Sequence, residues 1–327
     1  MTFLLHGTTL ALAWFLAVNI GASALVALVS LGAARALRAH SNRAASPSLW
    51  FALRVLPAAL SAAFVAAVFI PSYLKYEPRE LVEGFDVTLT MLAAAGLGLI
   101  AAGALRGRAA WSRASRRADA WMHSARPLEL GGAPIPAYRI DAEAPVMALV
   151  GILSPKLLVT RGLIDILTPE ELAATIAHER GHCGARDNLK RLAMAAAPDV
   201  LGWTRAARLL ERGWASAAEH HADRCASAAG ATTRFALASA LVKVARLMPP
   251  STTIAEPIST LVGGGEIVSR VEHLIEIRTE GRRTPPRLAV AGRWSAALAT
   301  LAVFALAYAP LVARVHLVTE AVIRLVP

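Results

Sequence analysis

The sequence has few aromatic residues and only two cysteines. Aromatic residues make up 6% of the 327 residues, which argues against a large aromatic cage for a ligand. Cys183 and Cys225 are too few for a disulfide framework or a four-thiolate zinc site. We expect both thiols to be reduced and to behave as small core residues.

Acidic residues are also scarce. The chain has 23 of them and 34 lysines and arginines, which gives a formal net charge of +11. Such an excess is typical of nucleic-acid-binding proteins. Here, however, the arginines stand beside long apolar runs, where a membrane protein carries them. Hydrophobic residues make up 56% of the chain, against about 45–50% in a soluble domain. The composition therefore predicts a lipid bilayer as partner and no nucleic acid.

Charge is absent from four runs that approach or exceed the roughly 20 residues of a membrane helix. The predicted spans are residues 4–31, 55–74, 87–105 and 294–313. The first span is too long for a signal peptide and has no positive charge before it, so we expect an uncleaved helix. A transporter is disfavoured because no predicted span has an ionisable residue at its centre.

The arginines also predict an orientation, because Lys and Arg gather on the cytoplasmic side of a membrane. They occur in three of the segments that flank the spans: Arg35, Arg38, Arg43 and Arg54; Arg106, Arg108, Arg113, Arg116 and Arg117; Arg282, Arg283, Arg287 and Arg293. The loop between the second and third spans is acidic, with Glu77, Glu80, Glu83 and Asp86. We expect a multi-pass protein of a bacterial-type inner membrane with both termini outside.

This topology divides the chain into four parts. They are three membrane helices in residues 1–105, a cytoplasmic domain in 106–293, a fourth helix in 294–313 and a short external tail in 314–327. The predicted fold class is therefore mainly α-helical and membrane-bound, with four transmembrane helices and an α+β domain between the third and fourth.

Local patterns predict the elements of the cytoplasmic domain. β-like runs occupy residues 137–140, 146–152 and 157–160. Thr168 and Glu171 form the pattern of a capping box, with Pro169 at the first helical position, so a helix should run from there to about residue 197. Further helices are predicted for residues 200–229 and 266–280. The Pro/Ser/Thr-rich segment between them, residues 249–260, reads as a loop.

The first of these helices contains an HExxH motif, from His178 to His182. Residues four apart share a helix face, so both imidazoles can bind one Zn²⁺ at about 2.0–2.1 Å. Glu179 is then placed to act as general base toward water at the metal. The motif predicts one zinc ion per chain and hydrolytic chemistry.

A catalytic zinc ion normally has a third protein ligand. Glu219 is the favoured candidate, because it lies on the next predicted helix. Its alternatives are an imidazole of His220 or His221, and more weakly Glu211. Glu219 could instead be an ordinary surface carboxylate.

Two further carboxylates could orient the histidines, as acceptors behind metal-bound imidazoles usually do. Asp223 shares a helix face with Glu219, and we expect it to hold the free ring N–H of His178. Asp187 is either a similar orienting group or a solvated polar residue. An oxyanion donor is also required, for which Tyr138 and His273 are candidates. We further expect residues 146–152 to offer a strand edge to an extended substrate.

These motifs resemble those of integral-membrane zinc metallopeptidases of the BlaR/MecR antirepressor type, within the gluzincin class. The resemblance is sharpest from Gly151 to Asp223 and rests on LSPKLLVTRGL at 153–163, LTPEEL at 167–172, HERGH at 178–182, RDN at 186–188 and the ExxxD element at 219–223. It implies a gluzincin-type domain, with His178, His182 and Glu219 as ligands and Glu179 as base. Because only about a dozen residues follow the fourth predicted span, we expect no counterpart of the family's extracellular β-lactam sensor, and antibiotic sensing is not implied.

Three functions stay open at this point. The leading one is a membrane endopeptidase that cleaves a cytoplasmic or membrane-proximal protein. HtpX-like and CAAX-processing membrane proteases share HExxH and ExxxD, so an HtpX-like quality-control protease is the alternative enzyme. A zinc-binding signalling scaffold without catalysis is the third, and it would have no need of the base Glu179.

Overall fold

The computed structural model describes residues 2–37, 46–78, 87–129, 135–247, 259–260, 267–276, 307–321 and 323. Within this part of the chain, three helices are long and apolar enough to cross a membrane: Phe3–Gly32, Pro47–Tyr76 and Val87–His123. Each contains one of the first three predicted spans, so the prediction of membrane insertion is supported. Most of the fourth predicted span, residues 294–313, lies outside the described residues.

The first helix, α1, covers Thr2–Leu37. The second apolar helix begins earlier than predicted, because the Ser46 side chain accepts a hydrogen bond from the Leu49 N–H and starts the helix there. It consists of α2 (Pro47–Phe64), a π-helical turn (Val65–Phe69) and α3 (Ile70–Tyr76). Arg54, which was counted as a loop charge, therefore lies inside α2 and is 2% exposed. Counting Arg54 among the loop arginines that predict the orientation in the membrane was therefore wrong.

Helix α4 covers Val87–His123 and extends well beyond the predicted end of the third span at residue 105. No proline interrupts it, and alanines and arginines, both good helix formers, continue it. At a rise of 1.5 Å per residue it is about 55 Å long. Its last turns therefore leave the apolar segment and become part of the domain.

A mixed five-stranded sheet lies at the centre of the domain. Its strands are β1 (Arg126–Leu128), β2 (Ala137–Ile140), β3 (Met147–Val150), β4 (Lys156–Thr160) and β5 (Ser259–Thr260). The order is β1-β2-β4-β3-β5, with β2 and β4 parallel and the other pairs antiparallel. The three predicted strands are confirmed with small changes at their ends, whereas β1 and β5 were not predicted.

The sheet is covered on both faces, which explains why β3 and β4 are almost entirely buried. On one face, Ala148 and Leu158 pack against the end of α4 at Trp121 and Met122. On the other, alternate residues such as Val159 belong to the main core of the domain. Period-2 alternation thus distributes apolar side chains between two cores rather than between core and solvent.

Six described helices complete the domain: α5 (Arg161–Ile166), α6 (Pro169–Ala185), α7 (Asp187–Ala196), α8 (Arg205–Ser227), α9 (Ala231–Leu247) and α10 (Ile267–Glu276). The capping box at Thr168 and Glu171 is confirmed. The predicted helix to residue 197 is wrong in its length, because Arg186 adopts a left-handed conformation with φ of 54° and separates α6 from α7.

Two other boundaries differ from the prediction. The helix predicted from residue 200 begins at Arg205, where the Thr204 hydroxyl caps it, and residues Val200–Trp203 form a separate 3₁₀ turn capped by Asp199. Helix α9 was not predicted at all. The predicted helix 266–280 is confirmed as α10, and its last residues lie outside the described part of the chain.

Buried polar contacts join the domain to the apolar helices. The Arg54 guanidinium pairs with Asp199 at 2.8 Å and with Glu211 at 2.7 Å. The buried side-chain amide of Asn19 in α1 donates to the Pro198 carbonyl and accepts from the Val200 N–H. Glycine at position 103 permits this approach, because a Cβ there would lie 2.8 Å from Pro198 Cα. The segment between α7 and α8 is therefore fixed directly against the apolar bundle.

The last described helix, α11, covers residues 307–321, so the chain stays helical beyond residue 313, where the external tail was predicted to begin. It packs against the first two apolar helices. The Trp14 indole donates to Thr319, and the Ser72 hydroxyl donates to the Val312 carbonyl. The Tyr308 hydroxyl donates to the Ala67 carbonyl, whose usual helical donor is missing because residue 71 is proline.

Candidate metal centre

Three buried side chains from α6 and α8 converge, and we call them the domain cluster: His178, His182 and Glu219. The two Nε2 atoms are 3.2 Å apart, and each lies 3.6 Å from a carboxylate oxygen of Glu219. All three potential ligand atoms lie within 4.8 Å of one another, so the group could hold a metal ion. The structure thus brings together the three residues predicted as ligands.

The sequence produces this arrangement by two local devices. His178 and His182 are one helical turn apart on α6 and therefore share a face. Glu219 comes from α8, which can approach closely because residue 181 of α6 is glycine. A Cβ at Gly181 would lie 2.9 Å from Ala222 Cα, closer than packed helices allow.

Each imidazole is held from behind by a carboxylate. His178 Nδ1 lies 2.9 Å from Asp223 Oδ1, and His182 Nδ1 lies 2.8 Å from Asp187 Oδ2. Both rings therefore direct Nε2 into the cluster, the orientation that an outer carboxylate imposes on a metal-ligating histidine. Asp187 can reach His182 only because the chain turns at Arg186 between α6 and α7.

Arg270 on α10 is a member of the site that the sequence analysis missed. Its guanidinium makes two contacts with Asp223, at 2.9 and 2.7 Å, and a third with Glu219 at 3.0 Å. It is 4% exposed, which is rare for arginine unless it is paired. The sequence signal was an arginine on the apolar side of an amphipathic helix, four positions before Leu274.

The electrostatics of the cluster favour a cation. Burial alone would raise the pKa of Glu219, but Arg270 and His182 hold it well below its usual value. Burial would likewise lower the pKa of His182, yet Glu219 and Asp187 raise it to about 10. For Asp223, burial opposes ionisation, but His178 and Arg270 keep its pKa at about 2. A field that stabilises a protonated imidazole this strongly also stabilises a divalent cation at the same place.

Glu179 lies beside the cluster in a different environment. Its side chain is completely buried, and among the described residues neither carboxylate oxygen has a hydrogen-bond partner. Burial raises the pKa of Glu179, while the neighbouring histidines act in the opposite direction. A raised pKa and free oxygens are what a general base near neutral pH requires.

The alternative ligands point elsewhere. Glu211 accepts from Arg54 in the junction with the apolar helices. The ring of His220 contacts that of His273 edge-on at 4.9 Å, and His221 lies 3.7 Å from Cys225 Sγ. Of the proposed oxyanion donors, Tyr138 packs on the face of the sheet that α4 covers. The ammonium group of Lys156 lies over its ring.

Both cysteines are free, as predicted, but only one is partly inside. Cys183 is half-buried, and burial raises the pKa of its thiol. Cys225 is exposed, so the expectation of a core position is wrong for this residue. The next residue, Ala226, lies on the buried face of α8, and Cys225 therefore lies on the exposed face.

The strand predicted next to the metal is present, but its edge is not free. Asn188 donates to the carbonyls of Leu149 and Gly151, which fastens the end of β3 to α7 beside His182. The outer edge of β3 pairs with β5 at Ala148 and Leu149. The expectation that a substrate pairs along this edge is therefore wrong at these two residues.

A cavity of about 350 Å³ opens instead beyond the end of β3. It is lined by Leu149, Gly151, Ile152, Leu153, Pro155, His182, Cys183, Arg186, Asp187, Asn188 and Leu189. A volume of this size is typical of a ligand site. Among the members of the domain cluster, His182 lines this cavity, so the cavity adjoins the cluster on that side.

The model of peptidase family M48 matches residues 113–289, more than half of the sequence. The match begins within the last turns of α4 and includes the domain cluster, Glu179 and Arg270. No curated protein matches the chain.

Proposed function

We propose that this chain, which belongs to peptidase family M48, is a membrane-embedded zinc endopeptidase acting on a cytoplasmic or membrane-proximal protein. The family makes it a metallopeptidase. The observation that carries the rest is a buried His178–His182–Glu219 cluster within ligand distance, beside Glu179, whose buried carboxylate has no hydrogen-bond partner among the described residues. His178, His182 and Glu219 are the proposed zinc ligands.

When bound, zinc supplies a Lewis acid for the scissile carbonyl and lowers the pKa of water toward about 7. Asp223 and Asp187 hold the Nδ1 side of the two imidazoles, so that each ring directs Nε2 into the cluster, where it would bind the metal. Glu179 takes a proton from the attacking water at a carboxylate oxygen and returns it to the leaving amine. Its complete burial excludes bulk water and raises its pKa, which keeps its proton affinity high enough for this task.

The proposed substrate path is the cavity beyond β3. Its wall shares residues 151–153 with a second cavity on the domain part of α4, lined there by Trp111 and Met122 among others. Because the two cavities share these residues, we propose that together they form one substrate path from His182 to the domain part of α4. A substrate held there lies next to the membrane helices, which supports a membrane-proximal substrate.

The domain limits and the topology are also part of the proposal. We place the peptidase domain at residues 106–293, between three apolar helices and a fourth, and on the cytoplasmic side. The remaining arginines on the domain part of α4, from Arg108 to Arg117, support this side. Alkaline phosphatase that is active when fused after Arg117 would contradict it.

The decisive experiment is Glu179→Gln in the detergent-purified full chain. We expect peptide hydrolysis to fall by about 10²–10⁴-fold, because a general base is removed, while bound zinc stays unchanged. Glu170→Gln, on the exposed side of the same helix, is the matched control and should keep activity. Full hydrolysis by Glu179→Gln would refute the assignment and favour a scaffold.

Two physiological roles share this chemistry. One is regulatory, antirepressor-like cleavage, in line with the resemblance to the BlaR/MecR type. The other is HtpX-like quality control of membrane proteins. They differ in substrate range, so comparing membrane proteomes with wild-type protein and with Glu179→Gln separates them. A single accumulating protein indicates regulation, whereas many damaged membrane proteins indicate quality control.

A further inference from the structure

A second group of potential metal ligands lies where the second apolar helix ends. Glu77, the residue that caps α3, faces His316 and Glu320 of α11, and we call these three residues the helix-end cluster. One ligand atom from each lies within 4.8 Å of the other two. His316 and Glu320 are four positions apart on one helix, so a single face presents both.

The distance between His316 and Glu77 is compatible with two ligands that share one ion. His316 Nδ1 lies 3.6 Å from Glu77 Oε2, beyond the range of a good N–H···O bond. Two ligands at about 2.0–2.2 Å from one tetrahedral ion are about 3.3–3.6 Å apart. The histidine–carboxylate distances of the domain cluster are also 3.6 Å. The two clusters thus share one ligand-to-ligand distance.

Burial makes the helix-end cluster more than a group of surface acids. The Glu77 side chain is 5% exposed and that of His316 is 21% exposed. The imidazole of His316 stacks on the ring of Tyr76, with 5.6 Å between centroids and 22° between planes. Two carboxylates and an imidazole this close together, one carboxylate nearly buried, create a field that attracts a cation.

The donor set selects the type of cation. Oxygen ligands alone would suit Mg²⁺ or Ca²⁺, whereas an imidazole favours first-row transition metals such as Zn²⁺. One imidazole and two carboxylates are therefore a mixed N/O set for a divalent transition metal.

The helix-end cluster is far from the peptidase site. Arg54, which contacts the domain, and Glu77 lie at opposite ends of the same helix. At a rise of 1.5 Å per residue the two are separated by about 35 Å. That length is close to the thickness of a bilayer core, so the helix-end cluster lies about one bilayer core away from the junction with the domain.

We propose that Glu77, His316 and Glu320 form a second site for a divalent transition metal, which fastens α11 to the end of the second apolar helix. The site joins two segments that are distant in sequence, and it is independent of the proposed peptidase activity. Loss of the metal loosens α11, whose further contacts with the bundle include the bonds at Trp14, Ser72 and Tyr308 and the packing of Val312 and Val315.

The test uses the full chain with the domain cluster removed. The His178→Ala/His182→Ala variant, purified in detergent and stripped with a chelator, is titrated with Zn²⁺ in excess Mg²⁺. We expect about one equivalent of zinc, the stoichiometry of a single site. Adding His316→Ala or Glu320→Gln should abolish it. Adding His123→Ala, an exposed histidine at the end of α4, should leave it unchanged.

Wild-type protein provides a second measurement if the multiple variants fold poorly. It should bind about two zinc equivalents, and His316→Ala/Glu320→Gln about one. Absence of zinc in folded His178→Ala/His182→Ala protein would overturn the second site, as would binding that His316→Ala and Glu320→Gln do not reduce. Loss of zinc from the domain cluster alone would contradict the proposed peptidase and not this inference.

Discussion

The domain cluster and the helix-end cluster combine imidazole and carboxylate with the same 3.6 Å spacing, but their surroundings differ. In the domain cluster each histidine is held by a buried carboxylate, and Arg270 holds the glutamate. In the helix-end cluster, His316 stacks on the ring of Tyr76. Ligands alone make a metal site, whereas the charged groups behind them fix its geometry for catalysis. We therefore expect the helix-end site to bind metal more weakly and to exchange it faster.

Arg270 offers the largest test of this comparison. In Arg270→Met, the buried carboxylates of Glu219 and Asp223 lose their cation. We expect the free energy of unfolding to fall by about 3–5 kcal/mol, the cost of breaking a buried pair. The loss should be smaller with zinc, since the metal supplies positive charge to Glu219.

Thermal unfolding in detergent, with chelator and with zinc, measures both effects. Arg246→Met, an exposed arginine on α9, is the control and should change little. An equal loss under both conditions would show that Arg270 supports the fold without balancing the charge of the metal site.

The orienting role of Asp187 predicts a smaller effect. Asp187→Asn keeps the size of the side chain but removes the charge that faces His182 Nδ1. We expect zinc affinity at the domain cluster to weaken about 10–100-fold, as is usual for such groups. Competition with a fluorescent chelator measures it, with Asp165→Asn on α5 as the exposed control. Unchanged affinity would show that Asp187 does not orient His182 for zinc binding and serves only as the first residue of α7.

Tyr76 gives the smallest effect and probes the other side of the comparison. Replacing it by leucine removes the ring that stacks on His316. Stacking of this kind contributes about 0.5–1.5 kcal/mol, so zinc affinity at the helix-end cluster should fall by roughly 2–10-fold. The measurement is made in His178→Ala/His182→Ala protein. An effect on the domain cluster of otherwise wild-type protein would contradict the independence of the two sites.

Local sequence signals predicted the elements that build the domain cluster. The capping box at Thr168 starts α6, and helical periodicity then places His178 and His182 on one face. The same periodicity pairs Glu219 with Asp223 on α8. These signals worked because capping and periodicity depend on residues within a few positions of one another.

Several boundaries could not be read in this way. The break at Arg186 has no proline or adjacent glycine to announce it, and it exists because α7 must turn so that Asp187 reaches His182. Arg54 was predicted in a loop, but α2 begins at residue 47, and Arg54 therefore lies within the helix, where it forms a buried ion pair with Asp199. In both places a tertiary contact decided what the local pattern left ambiguous.

The sequence by itself therefore determined the three apolar helices and the position of His178 and His182 on one helix face, because each rests on short-range periodicity and charge. Only the tertiary structure decided that Arg270 neutralises Glu219 and Asp223, that β5 covers β3, and that Glu77 meets His316 and Glu320. These partners are far apart in the chain. A local sequence pattern does not encode contacts between residues so far apart in the chain. They form when the helices pack, because a buried charge is stable only beside a group of opposite charge.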